Sequence, residues 1–171
     1  MTGVGLDDLY RQVILDHARE RHGRGLREGG PATPAAESRQ VNPLCGDEVT
    51  LRVAVTAGDG APPVISDVSW TGEGCSISQA ATSMLHDLVV GLDADAARVR
   101  VRAYREMVRS RGKAVPDEEV LGDAVAFSGV GRHVNRVKCA MLGWTAFEVA
   151  LEQLVVDEPA VNRTMTSEGE R

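Results

Sequence analysis

The chain has 171 residues, a formal net charge of −6 and 43% hydrophobic residues, few of them aromatic. This length predicts one domain with its own core, and the acidic charge argues against a nucleic-acid partner, which needs a basic face for phosphates. No apolar stretch reaches the roughly 18 residues of a membrane span, and the N-terminus lacks a signal-peptide pattern. We therefore expect a cytoplasmic protein without a membrane or nucleic-acid partner.

The first predicted element is a helix. Apolar residues recur at helical spacing over Leu6–Arg21, and Asp7 and Asp8 fall in the first turn, where the helix dipole favours acidic side chains. The chain then becomes rich in Gly, Pro and Ala and loses its periodicity. For this reason residues 22–40 are predicted to form a mobile loop.

Strands are predicted in the next part of the chain. Apolar and polar residues alternate over Glu48–Thr56, which is typical of a half-buried strand. A turn at 57–60 leads to a second strand over Val64–Thr71, so the two strands form an antiparallel hairpin. A third short strand is expected either at 72–75 or before Cys45.

The remainder of the chain is predicted to be helical. Helices are expected over Ser76–Val90 and Asp93–Arg111, followed by a short helical piece at Asp117–Asp123 and a long helix at His133–Val156. Residues 157–171 are expected to be a disordered tail. The order of helix, strands and helices predicts an α+β fold, in which helices pack on one face of a small antiparallel sheet of about three strands.

The chain contains three cysteines, and each lies in a short motif with glycines, an aspartate or basic residues nearby. Three thiolates and one carboxylate would complete a tetrahedral zinc shell, and the candidate ligands are Cys45, Asp47, Cys75 and Cys139. An odd number of cysteines in a reducing compartment favours metal or sulfur chemistry over disulfides. Spacing alone leaves open that Cys75 and Cys139 are small core residues, as free cysteines often are.

Two further features bear on chemistry. An oxygen ligand such as Asp47 is harder than a thiolate and more easily displaced, so a mixed shell indicates a site that opens. Arg136 precedes Cys139 by three residues and therefore lies on nearly the same helix face. This arginine could steer a sulfur anion or stabilise a persulfide, and the alternative is a surface arginine at a helix start.

These motifs closely resemble those of the U-type iron–sulfur cluster assembly proteins. The family's three cysteine motifs correspond to Asn42–Asp47, Gly74–Ala80 and Lys138–Ala140, and Leu9–His17 is similar to its first helix. The resemblance covers about residues 6–155, which is nearly the whole chain. It implies one domain of the family's α+β fold.

The family has two branches, and the chain is more similar to the SufU-like branch than to the IscU-like scaffold branch. The separation between Cys75 and Cys139 is longer than in the scaffolds, and the extra residues match a helical insertion at about 92–122 within a domain spanning 1–156. The scaffolds have a histidine where this chain has Lys138. Their chaperone-recognition segment, Leu-Pro-Pro-Val-Lys, does not occur here.

The resemblance implies both the site and its role. Members of the SufU-like branch bind zinc through residues that correspond to Cys45, Asp47, Cys75 and Cys139, with Cys45 as sulfur acceptor and Arg136 as an assisting, catalytic residue. The implied function is a zinc-dependent sulfurtransferase that accepts persulfide sulfur from the cysteine desulfurase SufS, whose cofactor is pyridoxal phosphate. The sulfur would pass to a downstream SUF scaffold of the SufB type.

Two alternatives use the same residues. In the first, the protein is a scaffold that binds an iron–sulfur cluster transiently at these four positions. In the second, the zinc is structural and the protein is an adaptor or allosteric activator of the desulfurase. The response of a Cys45→Ala variant and the spectrum after reconstitution with iron and sulfide distinguish the three roles.

Overall fold

A computed structural model of the protein describes residues 5–30, 33–56 and 61–156. Its elements are α1 (Leu6–Glu20), β1 (Ala35–Val41), β2 (Glu48–Thr56), β3 (Val64–Glu73), α2 (Ser76–Val89), α3 (Ala94–Arg109), α4 (Glu118–Leu121), a 3₁₀ segment (Gly122–Arg132) and α5 (Val134–Val156). The strands form one antiparallel sheet in the order β1-β2-β3, so the predicted α+β class is confirmed. None of the described helices has the length and apolar character needed to cross a membrane.

The central strand β2 separates the two faces of the sheet. Because side chains alternate along a strand, Leu51 and Val53 point into the core and are fully buried, whereas Thr50 and Arg52 lie on the opposite face and are partly exposed. The buried face is covered by α5, which packs against β1 and β2, and by α2, which packs against β3. Helices therefore pack on one face of the sheet, as the sequence predicts.

The predicted hairpin of β2 and β3 is confirmed, and the third strand lies before Cys45 rather than at 72–75. The expected loop over 22–40 is wrong from residue 35 onward, because Ala35–Val41 pairs with β2 along its full length. This strand has a weak side-chain pattern, and its one buried residue is Ser38. The predicted turn at 57–60 and tail at 157–171 lie outside the described residues.

Aromatic contacts fix the helices around α5. The Tyr104 ring of α3 stacks on Trp144 of α5, with ring centroids 3.7 Å apart and planes 8° apart, and the Tyr104 hydroxyl donates a hydrogen bond to the Ala140 carbonyl (2.9 Å). The Trp144 indole N–H donates to the Ala81 carbonyl of α2 (3.0 Å). Because buried aromatic polar atoms need such partners, these bonds hold α2 and α3 in one orientation on α5.

The sequence does not predict the 3₁₀ segment. The short helical piece expected at Asp117–Asp123 is α4, and the chain then continues in 3₁₀ conformation through Arg132. Such segments rarely exceed four residues, and this one is held by tertiary packing. A side chain at Gly131 would place its Cβ 2.4 Å from the Val108 carbonyl oxygen, so glycine permits the segment to lie directly on α3.

His17 is buried and connects three elements. Its Nδ1 lies 2.8 Å from the Ser83 hydroxyl of α2, and its Nε2 lies 3.1 Å from a carboxylate oxygen of Asp123 in the 3₁₀ segment. The Ser83 hydroxyl also accepts a hydrogen bond from the backbone N–H of His22 (2.9 Å). The end of α1 is thereby attached to α2.

The His22 side chain adds a pH-dependent contact between the end of α1 and α2, through Asp87. Its pKa is raised above the ordinary 6.5, chiefly by a hydrogen bond to Asp87 and, with burial opposing, also by Glu20. A raised folded-state pKa gives a stabilisation that is complete below the ordinary value and disappears as pH rises through the folded value. Since the ring is partly exposed, we expect His22→Gln to lower the free energy of unfolding by less than about 1 kcal/mol at about pH 5.5 and to match the wild type at about pH 8.5.

Urea unfolding at both pH values measures this difference. In an Asp87→Asn background the effect of His22→Gln at the lower pH should shrink, because the main partner of the protonated ring is gone. A loss of stability that is the same at both pH values would contradict this account.

Candidate metal centre

Cys45 lies in the short loop that joins β1 to β2. The backbone N–H of Asn42 donates to the Asp47 carbonyl (2.8 Å), and that of Gly46 donates to the Asn42 carbonyl (2.9 Å). The Asn42 side chain accepts a third bond from the N–H of Leu44 (3.1 Å). Gly46 has φ +75°, a conformation in which glycine carries no Cβ penalty. This loop exposes Cys45 and buries Asp47 at its base.

Cys75 is the N-cap residue of α2, directly after β3. Its backbone N–H points to the Asp47 carboxylate at 3.4 Å, and its carbonyl accepts a hydrogen bond from the Ser78 hydroxyl (3.0 Å). A Cβ on Gly74 would lie 2.4 Å from the Ser78 hydroxyl oxygen and 3.0 Å from the Asp47 carboxyl carbon. Glycine at position 74 therefore allows the start of α2 to approach the loop.

Cys139 lies on α5 and is only 8% exposed. Its Sγ is 3.8 Å from the Sγ of Cys45, and the ligand atoms of Cys45, Asp47 and Cys139 all lie within 4.8 Å of one another. Two sulfurs bound at about 2.3 Å to one tetrahedral ion would be about 3.8 Å apart. The spacing of these groups therefore fits a single metal ion.

The electrostatics of the cluster also fit a cation. Burial raises the pKa of the Asp47 carboxyl, but hydrogen bonds from Cys75, Cys45 and Cys139 outweigh it, so the pKa lies below its usual value. Burial raises the pKa of the Cys139 thiol strongly, and the charges of Cys75 and Cys45 raise it further. Thiols this close resist joint ionisation unless a cation offsets their charge. Sulfur donors with one carboxylate suit zinc.

Arg136 is exposed in the first turns of α5 and lines a cleft of which Cys75 is also part. The structure thus brings three of the predicted site residues, Cys45, Asp47 and Cys139, into one cluster. Cys75 lies outside this group of three but borders it through its N–H to Asp47, and Arg136 shares the cleft with Cys75. Sequence reasoning missed Asn42 and Ser78, which hold the two cysteine-bearing segments in place. The Asn-Pro pair at 42–43 is a turn signal and could have indicated the first of them.

A second group of potential ligands consists of His17, His22 and Asp87, whose ligand atoms also lie within 4.8 Å of one another. Here both ring nitrogens of each histidine already have oxygen partners within hydrogen-bond distance. We therefore assign this group the structural role described above.

A three-stranded antiparallel sheet that presents a Cys-Gly-Asp loop beside cysteines on two helices defines a U-type iron–sulfur cluster assembly protein. The sequence model of the NifU-like N-terminal domain family matches residues 9–140, and the chain belongs to this family.

Relatives support the same assignment. The chain is 36% identical to the zinc-dependent sulfurtransferase SufU of Bacillus subtilis strain 168 over 85% of this chain and 90% of the relative. It is 33% identical to the iron–sulfur cluster assembly scaffold protein IscU of Streptococcus pyogenes serotype M1 over 86% of each. The crystal structure of a NifU-like protein (N-terminal) from Brucella abortus aligns with a TM-score of 0.70, at 25% identity, covering 89% of this chain and 98% of the other.

Gly74→Ala tests the close approach at the cluster. The added Cβ would collide with Ser78 and displace the Asp47 carboxylate. Because groups that orient metal ligands typically change metal affinity by about 10- to 100-fold, we expect zinc affinity to fall within that range. Competition with a chromogenic chelator measures it.

Gly129→Ala is the matched control, since a Cβ there would meet no atom within 4 Å. This control should bind zinc as the wild type does. Unchanged zinc affinity in Gly74→Ala would show that the approach of α2 to the loop is not needed for metal binding.

Proposed function

We propose that this protein is a zinc-dependent sulfurtransferase of the cytoplasm, which accepts persulfide sulfur from the cysteine desulfurase SufS and passes it to a SUF scaffold of the SufB type. One observation carries the proposal: an exposed thiol, Cys45, lies 3.8 Å from the buried thiol of Cys139 in a cluster suited to a metal. The name and 36% identity of the Bacillus relative support it.

Zinc would be held by Cys45, Asp47, Cys75 and Cys139. When bound, it would supply the positive charge that keeps the thiols ionised at neutral pH, which is the nucleophilic form. The donor set fits this role because burial and mutual repulsion otherwise hold the Cys139 thiol protonated.

The transfer step belongs to Cys45. Its thiolate attacks the outer sulfur of the desulfurase persulfide, a new S–S bond forms at Cys45, and the S–S bond on the desulfurase breaks with its cysteine thiolate as leaving group. The step needs no external oxidant or reductant. Cys45 is exposed on a loop, which makes this attack sterically feasible. Cys75 is exposed too but is the N-cap residue of α2, and Cys139 is buried.

Arg136 assists by charge. Its side chain lines the cleft beside Cys75 and is exposed. A guanidinium is always protonated and donates several hydrogen bonds, so it offsets the negative charge of the sulfur in transit. This is an electrostatic role and requires no proton transfer by Arg136.

A cluster scaffold is the second candidate, favoured by the IscU names of two relatives. Cys45, Asp47, Cys75 and Cys139 would then hold an iron–sulfur cluster as cargo. Anaerobic reconstitution with iron and sulfide tests this function: visible absorption from a cluster that transfers to an apo-ferredoxin would favour the scaffold.

Metal removal tests the zinc dependence. The protein as purified should contain one zinc per chain and should stimulate turnover of L-cysteine by the desulfurase. Chelation should abolish the stimulation, and added zinc should restore it, because the thiols lose the cation that keeps them ionised. Stimulation that is indifferent to chelation would refute the proposal.

Cys45→Ala tests the acceptor. Transfer of ³⁵S from L-[³⁵S]cysteine through the desulfurase to this protein should disappear, since no other cysteine combines exposure with the loop position. Val115→Ala, which changes a 94% exposed residue between α3 and α4, is the control and should accept sulfur normally. Undiminished labelling of Cys45→Ala would exclude Cys45 as acceptor, and undiminished stimulation of the desulfurase would favour the adaptor role.

A further inference from the structure

The cleft beside the cysteine cluster has a volume of about 500 Å³, within the range of small-molecule sites. Its apolar part includes Ile14 and Ile77, and its basic part consists of Arg11, Arg132 and Arg136. It lies between α1, the first residues of α2, the 3₁₀ segment and the start of α5. The cleft thus adjoins the candidate metal centre and carries side chains of the opposite charge to the chain as a whole.

The basic side chains are mostly free of acidic partners. Among the described residues Arg132 and Arg136 form no ion pair, and Arg11 has a single contact with Asp8 at 3.9 Å. Asp7 is the one carboxylate on the lining. Three arginines against one carboxylate, in a protein with a net charge of −6, make the cleft a local region of positive potential.

Two helix ends add to this potential. Ser76 and Ile77, the first residues of α2, lie on the lining, as do His133 and Arg136 at the start of α5. The N-terminus of a helix carries partial positive charge and free N–H groups. Both helix starts therefore border the cleft, and that of α5 carries Arg136, whereas the start of α2 also faces the Asp47 carboxylate.

Arg132 also packs against Gly112, just beyond the end of α3. Its Nε lies 2.8 Å from the position that a Cβ on Gly112 would occupy, so the side chain packs over this glycine. Gly112 has φ +77°, which disfavours any other residue there. The stem of Arg132 thus packs against the residues that follow α3, while the side chain remains exposed at the cleft.

We propose that the cleft binds a small thiol that carries carboxylates, and that this thiol removes the sulfur from Cys45. The inference rests on the proposed function and names the class of molecule that would carry the sulfur from Cys45 to the scaffold proposed above. The carboxylates would pair with the arginines and the helix ends, and the thiol end would face the side of the cleft where Cys75 borders the metal centre. An acidic protein repels free anionic thiols, so a basic cleft is needed to gather them.

The reaction balances without another reagent. The bound thiolate attacks the outer sulfur of the Cys45 persulfide, the new S–S bond forms on the small thiol, and the Cys45 thiolate leaves. The product is a small-molecule persulfide, and Cys45 returns to the form that accepts the next sulfur.

Thiols that differ in charge test the proposal. The zinc-loaded full chain is labelled at Cys45 with ³⁵S by the desulfurase, separated from it, and mixed with mercaptosuccinate or with neutral 2-mercaptoethanol. Release of ³⁵S is measured against thiol concentration and expressed per thiolate. We expect saturation with mercaptosuccinate and a rate at limiting concentration at least about tenfold above that of 2-mercaptoethanol, because the cleft concentrates the anion.

Arg132→Gln should reduce the ratio of the mercaptosuccinate rate to the 2-mercaptoethanol rate toward one. The rate with 2-mercaptoethanol should stay unchanged, and a fall in it would indicate structural damage. Arg98→Gln, which removes the same charge from α3 outside this cleft, is the matched control and should keep the wild-type ratio. A linear dependence on mercaptosuccinate, or a ratio of one in the wild type, would overturn the proposal.

The two proposals fail in different ways. If the desulfurase cannot label the chain, the proposed function is wrong. Succinate, the analogue without a thiol, tests the cleft separately by NMR shifts of the backbone amides at 10–14, 76–77 and 132–136. Saturable binding that weakens in Arg132→Gln supports the cleft, and no binding overturns the inference whether or not labelling succeeds.

Discussion

The buried carboxylate of Asp47 joins the parts of the candidate centre. The loop closes on its backbone through the Asn42 N–H (2.8 Å), and its side chain faces the N–H of Cys75 at the start of α2 (3.4 Å). Its pKa is low because the surrounding donors outweigh burial, so the carboxylate is charged at neutral pH. An anion at this position draws the helix start and the loop together. Its other side faces the cysteine cluster, where a cation would bind.

The cysteines differ in how firmly the fold holds them. Cys139 lies on a helix packed through Trp144 and Tyr104 and is almost fully buried, whereas Cys45 lies on an exposed loop next to Gly46. A rigid ligand beside an accessible one suits a centre that keeps its metal while one thiol reacts. An all-buried shell would bind metal as well but would leave no thiol for a partner to reach, so the asymmetry itself favours sulfur transfer over a structural role.

Strong side-chain patterns made β2, β3 and the main helices predictable, and the residue types of Cys45, Asp47, Cys75 and Cys139 pointed to metal chemistry without any structure. A strand before Cys45 is one of two positions expected for the third strand, but the bounds of β1 could not be predicted, because it is defined by the hydrogen-bonded ladder to β2 rather than by an apolar pattern. The 3₁₀ segment likewise depends on packing against α3. The support from Asn42 and the basic cleft both depend on contacts between segments far apart in the chain. The amino-acid sequence alone does not show such contacts.

The helical stretch predicted as an insertion at about 92–122 has a structural consequence for the site. Within it α3 stacks on α5 through Tyr104 and Trp144, and it provides the surface on which the 3₁₀ segment lies at Gly131. That segment leads into α5 and so determines where Arg132 and Arg136 stand relative to Cys75. No residue of 92–122 lines the basic cleft itself, because the wall on this side is the 3₁₀ segment. The stretch therefore bears on the cleft through the segment that it supports, and not by contributing side chains to it.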